Sequence, residues 1–149
     1  MIRFRPNQLK AIVDAAEDAY PVECCGLLVG RRGAGSTAEV TRLAPSPNLA
    51  ASSERFEIDP GLYLRLHKEL EGGGENIVGL YHSHPDYPAQ PSPRDLAAAW
   101  DAELIWVIVS VREGQAIQVT AHALDPGLSQ FREIPLRTVD GPPEATRAT

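Results

Sequence analysis

The run Leu104-Ile105-Trp106-Val107-Ile108-Val109-Ser110-Val111 holds one polar residue in eight. A stretch this short and this apolar has no solvent face, so it reads as a buried central strand. Leu9, Ile12, Val13, Ala16, Ala19 and Tyr20 recur at helical spacing after Pro6, with Asn7 as the expected cap and Pro21 as the stop. Glu23 to Val29 reads as a strand and Arg31 to Ser36 as a turn. Glu39 to Leu43 reads as a second strand, broken by Pro45-Ser46-Pro47-Asn48. Arg55 to Ile58 is a short strand candidate. Asp59-Pro60 then offers a helix cap with proline at the first helical position. Leu62, Tyr63, Leu66 and Leu70 form that helix's apolar stripe, and Gly72-Gly73-Gly74 ends it.

Ile77 to Tyr81 is a strand that runs straight into His82. Residues 85 to 93 carry four prolines in nine positions, which excludes helix and central strand there. A helix is expected from Ser92-Pro93, carrying Leu96 to Trp100. Ile117, Val119, Ala121 and Ala123 alternate with polar neighbours as a one-sided strand, and Phe131 to Leu136 reads as a last one. Strands interleaved with helices in a chain of 149 residues point to one α/β domain. It is taken as residues 1–138, with a frayed tail over 139–149.

Composition narrows the function classes. Hydrophobic residues at 43% and charged residues at 23% exclude a disordered chain. No stretch reaches the roughly 18 apolar residues that span a bilayer, so no membrane partner is expected. The start, Met1 to Pro6, has no apolar run behind its arginines and reads as no secretory signal. Fourteen basic against 20 acidic residues give a charge of −6 with no basic patch, and nucleic acid is not expected as a partner. Cys24 and Cys25 are adjacent, too few for a disulfide framework or a four-cysteine zinc site, and fit a reduced cytoplasmic setting.

His82 and His84 are one residue apart. On extended backbone they share a face, and both imidazoles could reach one ion at the end of a strand. A catalytic zinc commonly takes three protein ligands, so a third is needed; Asp86 and Asp95 are the next candidates. Asp95 also completes Ser92-Pro93-Arg94-Asp95, which by itself reads as a helix capping box.

Glu23, then His82-Ser83-His84-Pro85, then Ser92-Pro93-Arg94-Asp95 resembles the signature of the JAMM metalloproteases, the catalytically competent MPN domains. The spacing matches without departure: residues 85 to 91 are the seven between the second histidine and the serine. The segments Glu23 to Gly30 and Gly79 to Pro85 are most similar to the short prokaryotic members, which include enzymes that process ubiquitin-like sulfur carrier proteins. The resemblance implies a mixed central β-sheet flanked by helices, in a fold related to that of cytidine deaminases.

It also implies roles. His82, His84 and Asp95 would hold one Zn²⁺ per chain, with water as the fourth ligand. Glu23 would act as general base and then pass the proton to the leaving amine. The Ser92 hydroxyl would donate to the developing oxyanion. Ser83 would point away from the metal in a structural role, and Cys24 and Cys25 would pack. His67 and His122 read as solvated. The substrate would be the extended C-terminal tail of a ubiquitin-like or sulfur carrier protein, cut after its terminal glycine. A homodimer is left open.

Other zinc and hydrolase signatures are absent: no His-Glu-x-x-His, no Cys-x-x-Cys and no Gly-x-Ser-x-Gly. The alternative is a catalytically silent MPN-type scaffold that only binds protein.

Overall fold

The computed structural model describes residues 1–35, 37–99, 101–125, 127 and 129–140. Its elements in chain order are β1 (Ile2–Phe4), α1 (Pro6–Ala19), β2 (Cys25–Arg32), β3 (Ala38–Ser46), α2 (Pro60–Glu69), β4 (Asn76–Pro85), α3 (Pro93–Ala98), β5 (Ile105–Arg112), β6 (Gln115–Asp125), β7 (Gln130–Ile134) and β8 (Leu136–Thr138). The strands form a single mixed sheet in the order β7-β6-β5-β4-β2-β3-β1-β8. β4 and β5 run parallel at its centre, and β2 lies antiparallel to β4. All of β5 but its last residue is buried, as its apolar run requires. This is the single-domain α/β architecture with a mixed central sheet expected from the sequence.

The sheet has a core on each face. Ile12 and Ala16 of α1 pack with Ile2, Phe4, Val107, Val109 and Tyr81. On the other face, Leu66 of α2 packs with Leu27, Val29, Leu80, Leu104 and Trp106. Strict alternation would put Val78 and Leu80 on the same face. They lie on opposite faces, because the β2–β4 register shifts: Leu28 pairs with Gly79 but Val29 pairs with Ile77. Val78 is the extra residue of a β-bulge, the device that re-aims side chains beside functional sites. From that point on, the even-numbered residues of β4 face α2. A side chain at Gly79 would block the pairing of β4 with β5, since its Cβ would lie 2.3 Å from the Ile105 carbonyl oxygen.

Several expectations need correction. α1 begins at Pro6 with Arg5 before it, so Asn7 is inside the helix and does not cap it; proline's fixed φ suits the first helical position and starts the helix two residues early. β2 keeps Arg31 and Arg32, and the turn is confined to residues after them, with Ser36 outside the described residues. β3 continues through Pro45 to Ser46, because β1 pairs only with Ala38 and Glu39 and leaves that end as an edge where proline is tolerated. Arg55–Ile58 forms no strand, only a bridge from Ile58 to Asn48. β4 likewise runs on through His84 to Pro85, which pairs with Val111 at the strand's end. α3 closes at Ala98, and Trp100 lies outside the described residues. Phe131–Leu136 is two strands, split at Pro135 onto opposite edges of the sheet. Val119, Ala121 and Ala123 pack on the core that α1 covers, as the alternation in β6 predicts, but Ile117 is 55% exposed because the β5–β6 register shifts between Ser110 and Val111 and skips it; His122 is buried. Of the expected tail, residues 141–149 lie outside the described residues. Among the described residues, no helix is long and apolar enough to cross a membrane.

Candidate metal and catalytic site

β4 delivers two histidines to one face. Beyond the bulge, His82 lies against Phe56 and Trp106 and His84 against His82 and Tyr87, whereas Ser83 points the other way and its Oγ accepts the Cys24 N–H at 2.8 Å. The antiparallel register that pairs Cys25 with His82 carries Glu23 toward His84 when extended past the strand's first residue. Two more hydrogen bonds pin Glu23: its N–H donates to the Ser52 carbonyl at 2.9 Å, and its carbonyl accepts from Asn48 Nδ2 at 3.0 Å.

The loop after β4 supplies the rest. Asp86 faces away from the histidines: its carboxylate accepts from the Tyr20 hydroxyl at 2.6 Å and from the Glu113 N–H at 3.0 Å. That leaves Asp95, on α3. The Ser92 hydroxyl oxygen accepts the Asp95 N–H at 3.1 Å, and Asp95 Oδ2 accepts the Ser92 N–H at 2.9 Å. The capping box is therefore real, and it turns the Asp95 carboxylate back toward the imidazoles.

Three donor atoms converge. His82 Nε2 lies 3.1 Å from His84 Nε2 and 3.2 Å from Asp95 Oδ1, and His84 Nε2 lies 3.1 Å from Asp95 Oδ2. All three residues are buried. His84 Nδ1 sits 2.7 Å from the Pro88 carbonyl, which can only accept, so Nδ1 carries the proton and Nε2 presents a lone pair. Lone pairs of an imidazole and a carboxylate this close repel unless a proton or a cation lies between them. Tetrahedral zinc with bonds of about 2.0–2.1 Å has ligand–ligand separations of about 3.3 Å, close to those found. His82 Nδ1 is buried without a partner, so nothing else in the site fixes that ring's proton. The donor set fits a zinc ion.

The electrostatics agree. Burial lowers the His82 pKa and favours the neutral imidazole a metal needs. Burial works to raise Asp95, but the two adjacent imidazoles outweigh it and hold the carboxyl well below its usual range. Glu23 is pushed up to about 7 by burial, against the opposing pull of its hydrogen bond to Tyr87. Tyr87 itself is raised by burial and by Glu23, which keeps its hydroxyl a proton donor.

The prokaryotic homologues of the JAB domain match this chain over residues 6–122, a span that includes Glu23, His82, His84, Ser92 and Asp95. The chain belongs to this family. Among relatives of this JAB domain, the desampylase of Haloferax volcanii is 34% identical over 131 residues, covering 87% of this chain and 88% of the relative. The CysO-cysteine peptidase of Mycobacterium tuberculosis is 28% identical over 124 residues, covering 83% of each. A protein from Desulfitobacterium hafniense solved in solution superimposes with a TM-score of 0.82 at 31% identity, over 95% of both chains.

Two site residues of the JAB domain escape a reading of its sequence. Tyr87 donates its hydroxyl to Glu23 Oε2 and stacks on His84 with ring centroids 4.1 Å apart. Its one signal is that it is the aromatic residue in a proline-rich polar loop. Phe56 stacks on His82 at 4.2 Å, from a segment that reads as a strand. His122 is not solvated: its Nε2 meets Thr120 Oγ1 at 2.8 Å, and that hydroxyl in turn donates to the Ala89 carbonyl at 2.8 Å. His67 is exposed, as expected.

Proposed function

We propose that this JAB domain is a zinc-dependent peptidase that hydrolyses the bond after the C-terminal glycine of a ubiquitin-like sulfur carrier protein. The observation that carries the reading is the buried convergence of His82, His84 and Asp95, with Glu23 held beside them by Tyr87. The names of the desampylase and of the CysO-cysteine peptidase support the substrate class.

His82, His84 and Asp95 would hold the ion. Zinc, when bound, supplies Lewis acidity and a water acidic enough to ionise near neutral pH. Glu23 takes a proton on its buried carboxylate and returns it to the leaving amine. Its Oε1 is buried without a partner, free for that exchange, while Tyr87 restrains Oε2. Ser92 serves twice. Its oxygen accepts from Asp95 N–H, which leaves its own proton free to donate to the oxygen that gains charge as the carbonyl is attacked. Pro88 fixes the His84 tautomer, and the Ser110 hydroxyl, bonded to the Tyr87 carbonyl at 2.7 Å, anchors the loop that carries both.

The test is hydrolysis of a ubiquitin-like carrier extended by one residue beyond its Gly-Gly terminus, followed by intact mass. The zinc-loaded wild type removes the extension, and Glu23→Gln retains zinc without turnover. A loaded wild type that cleaves no such carrier returns the domain to the scaffold reading.

A further inference from the structure

We propose that the cavity beside Asp95 receives the leaving group, and that Arg94, with Arg55, selects a leaving group bearing a free α-carboxylate. This rests on the peptidase reading and narrows it. The substrate becomes a carrier with a single amino acid joined to its last glycine, in preference to a carrier joined to a lysine side chain.

The cavity measures about 590 Å³. Its walls include Ser52, Phe56 and Asp95, and each is tied to the site. Ser52 holds the backbone of Glu23, Phe56 stacks on His82, and Asp95 is a candidate ligand. A group seated in this cavity therefore lies against one candidate ligand and against the ring that stacks on another.

Its charges are unbalanced toward the cation. Asp95 is committed to the two imidazoles. Glu54 pairs with Arg94 at 3.4 Å, but the side chains are 72% and 60% exposed, and such a pair is weak enough to yield to a better-placed anion. Arg55, also on the wall, makes no ion pair among the described residues. A guanidinium binds a carboxylate through two parallel hydrogen bonds, the geometry most selective for that group. The adjoining groove, over Leu27, Ile58, Tyr63, Leu80 and Trp106, is apolar and offers no such partner.

The position also suits the chemistry. Arg94 and Asp95 are neighbours in the chain and line the same cavity, so the guanidinium is offered to a group seated beside that candidate ligand. In the hydrolysis, the glycine carbonyl gains OH from water and the amine gains H. When the amine belongs to a free amino acid, its carboxylate is attached to the same carbon and arrives beside Arg94. A lysine ε-amine brings four methylenes and no carboxylate, so Arg94 stays with Glu54 and Arg55 gains no anion.

The probes are CysO ending in Gly-Gly extended by cysteine as the free acid, the same adduct as the cysteinamide, and CysO joined through its last glycine to the ε-amine of a lysine peptide. The zinc-loaded wild type is expected to cleave the acid with kcat/KM about 10-fold or more above the amide. Arg94→Gln and Arg55→Gln reduce that ratio toward one while zinc content stays the same as in wild type. Calorimetric titration of Glu23→Gln gives the corresponding split in Kd without turnover. Equal rates on acid and amide, or preference for the lysine conjugate, overturn this inference and leave the peptidase reading standing. Cleavage of none of the three removes both.

Discussion

The Tyr87 hydroxyl donates to Oε2 of Glu23 while its ring lies against His84, interplanar angle 18°. One side chain thus touches the proposed base, which precedes β2, and a candidate ligand on β4. Oε2 is held and Oε1 is buried without a partner, which leaves Oε1 as the oxygen available to the proposed proton exchange. Tyr87→Phe keeps the ring on His84 and removes the hydroxyl. The expected result is unchanged zinc content and a kcat lower by about 10-fold, read by steady-state kinetics beside elemental analysis. A wild-type kcat would mean that Glu23 needs no such restraint.

Glu23 also carries a stability signature. Its folded pKa of about 7 lies above the 4.5 of an ordinary glutamate, so the folded state holds the proton more tightly than the unfolded one. Stability from this group is fully present below pH 4.5 and is lost as pH rises through 7. In the metal-free protein, Glu23→Gln removes the buried charge. It is expected to be more stable than wild type at pH 8 by about 2 kcal/mol, with the difference vanishing near pH 4. Denaturant titrations at the two pH values check this, and a variant destabilised at pH 8 would contradict it.

Ser92→Ala separates two roles by magnitude. Loss of the cap is expected to lower stability by about 1 kcal/mol. Loss of the free hydroxyl proton is expected to lower kcat about 100-fold with zinc still bound. A variant with the stability loss but normal turnover leaves Ser92 as a cap alone.

Much of the site was legible because its residues are close in sequence or fixed by local rules. The spacing of His82, His84, Ser92 and Asp95 is a strand end, a proline-stiffened loop and a capping box, and each is a local pattern. Glu23 was legible only through family resemblance, since its proximity to His84 comes from the β2–β4 register, a long-range pairing that no periodicity in either strand reveals. Tyr87 and Phe56 were missed for the same reason: their stacking on the histidines depends on loop paths. The fold followed the same division. The apolar run of β5 and the stripe of α2 read correctly. The bulge at Val78 and the separation of β7 from β8 did not, because each is decided by a neighbouring strand and leaves the segment's own composition unchanged.

Gly79, next to that bulge, gives a further test. Gly79→Ala places a Cβ against the Ile105 carbonyl oxygen, backbone that cannot swing aside. It is expected to destabilise by about 3 kcal/mol and, by disturbing the strand that aims both histidines, to weaken zinc retention. Thermal unfolding and metal content measure the two effects. A variant with wild-type values of both would show that β4 does not need the close pairing with β5.

If His82, His84 and Asp95 form a zinc site, elemental mass spectrometry on protein purified without a metal-affinity tag detects the ion. About one zinc per wild-type chain, with loss of the metal and of activity in His84→Ala, is the predicted result. No retained zinc in wild type after metal is added back and the excess removed, or equal zinc in His84→Ala, would contradict it.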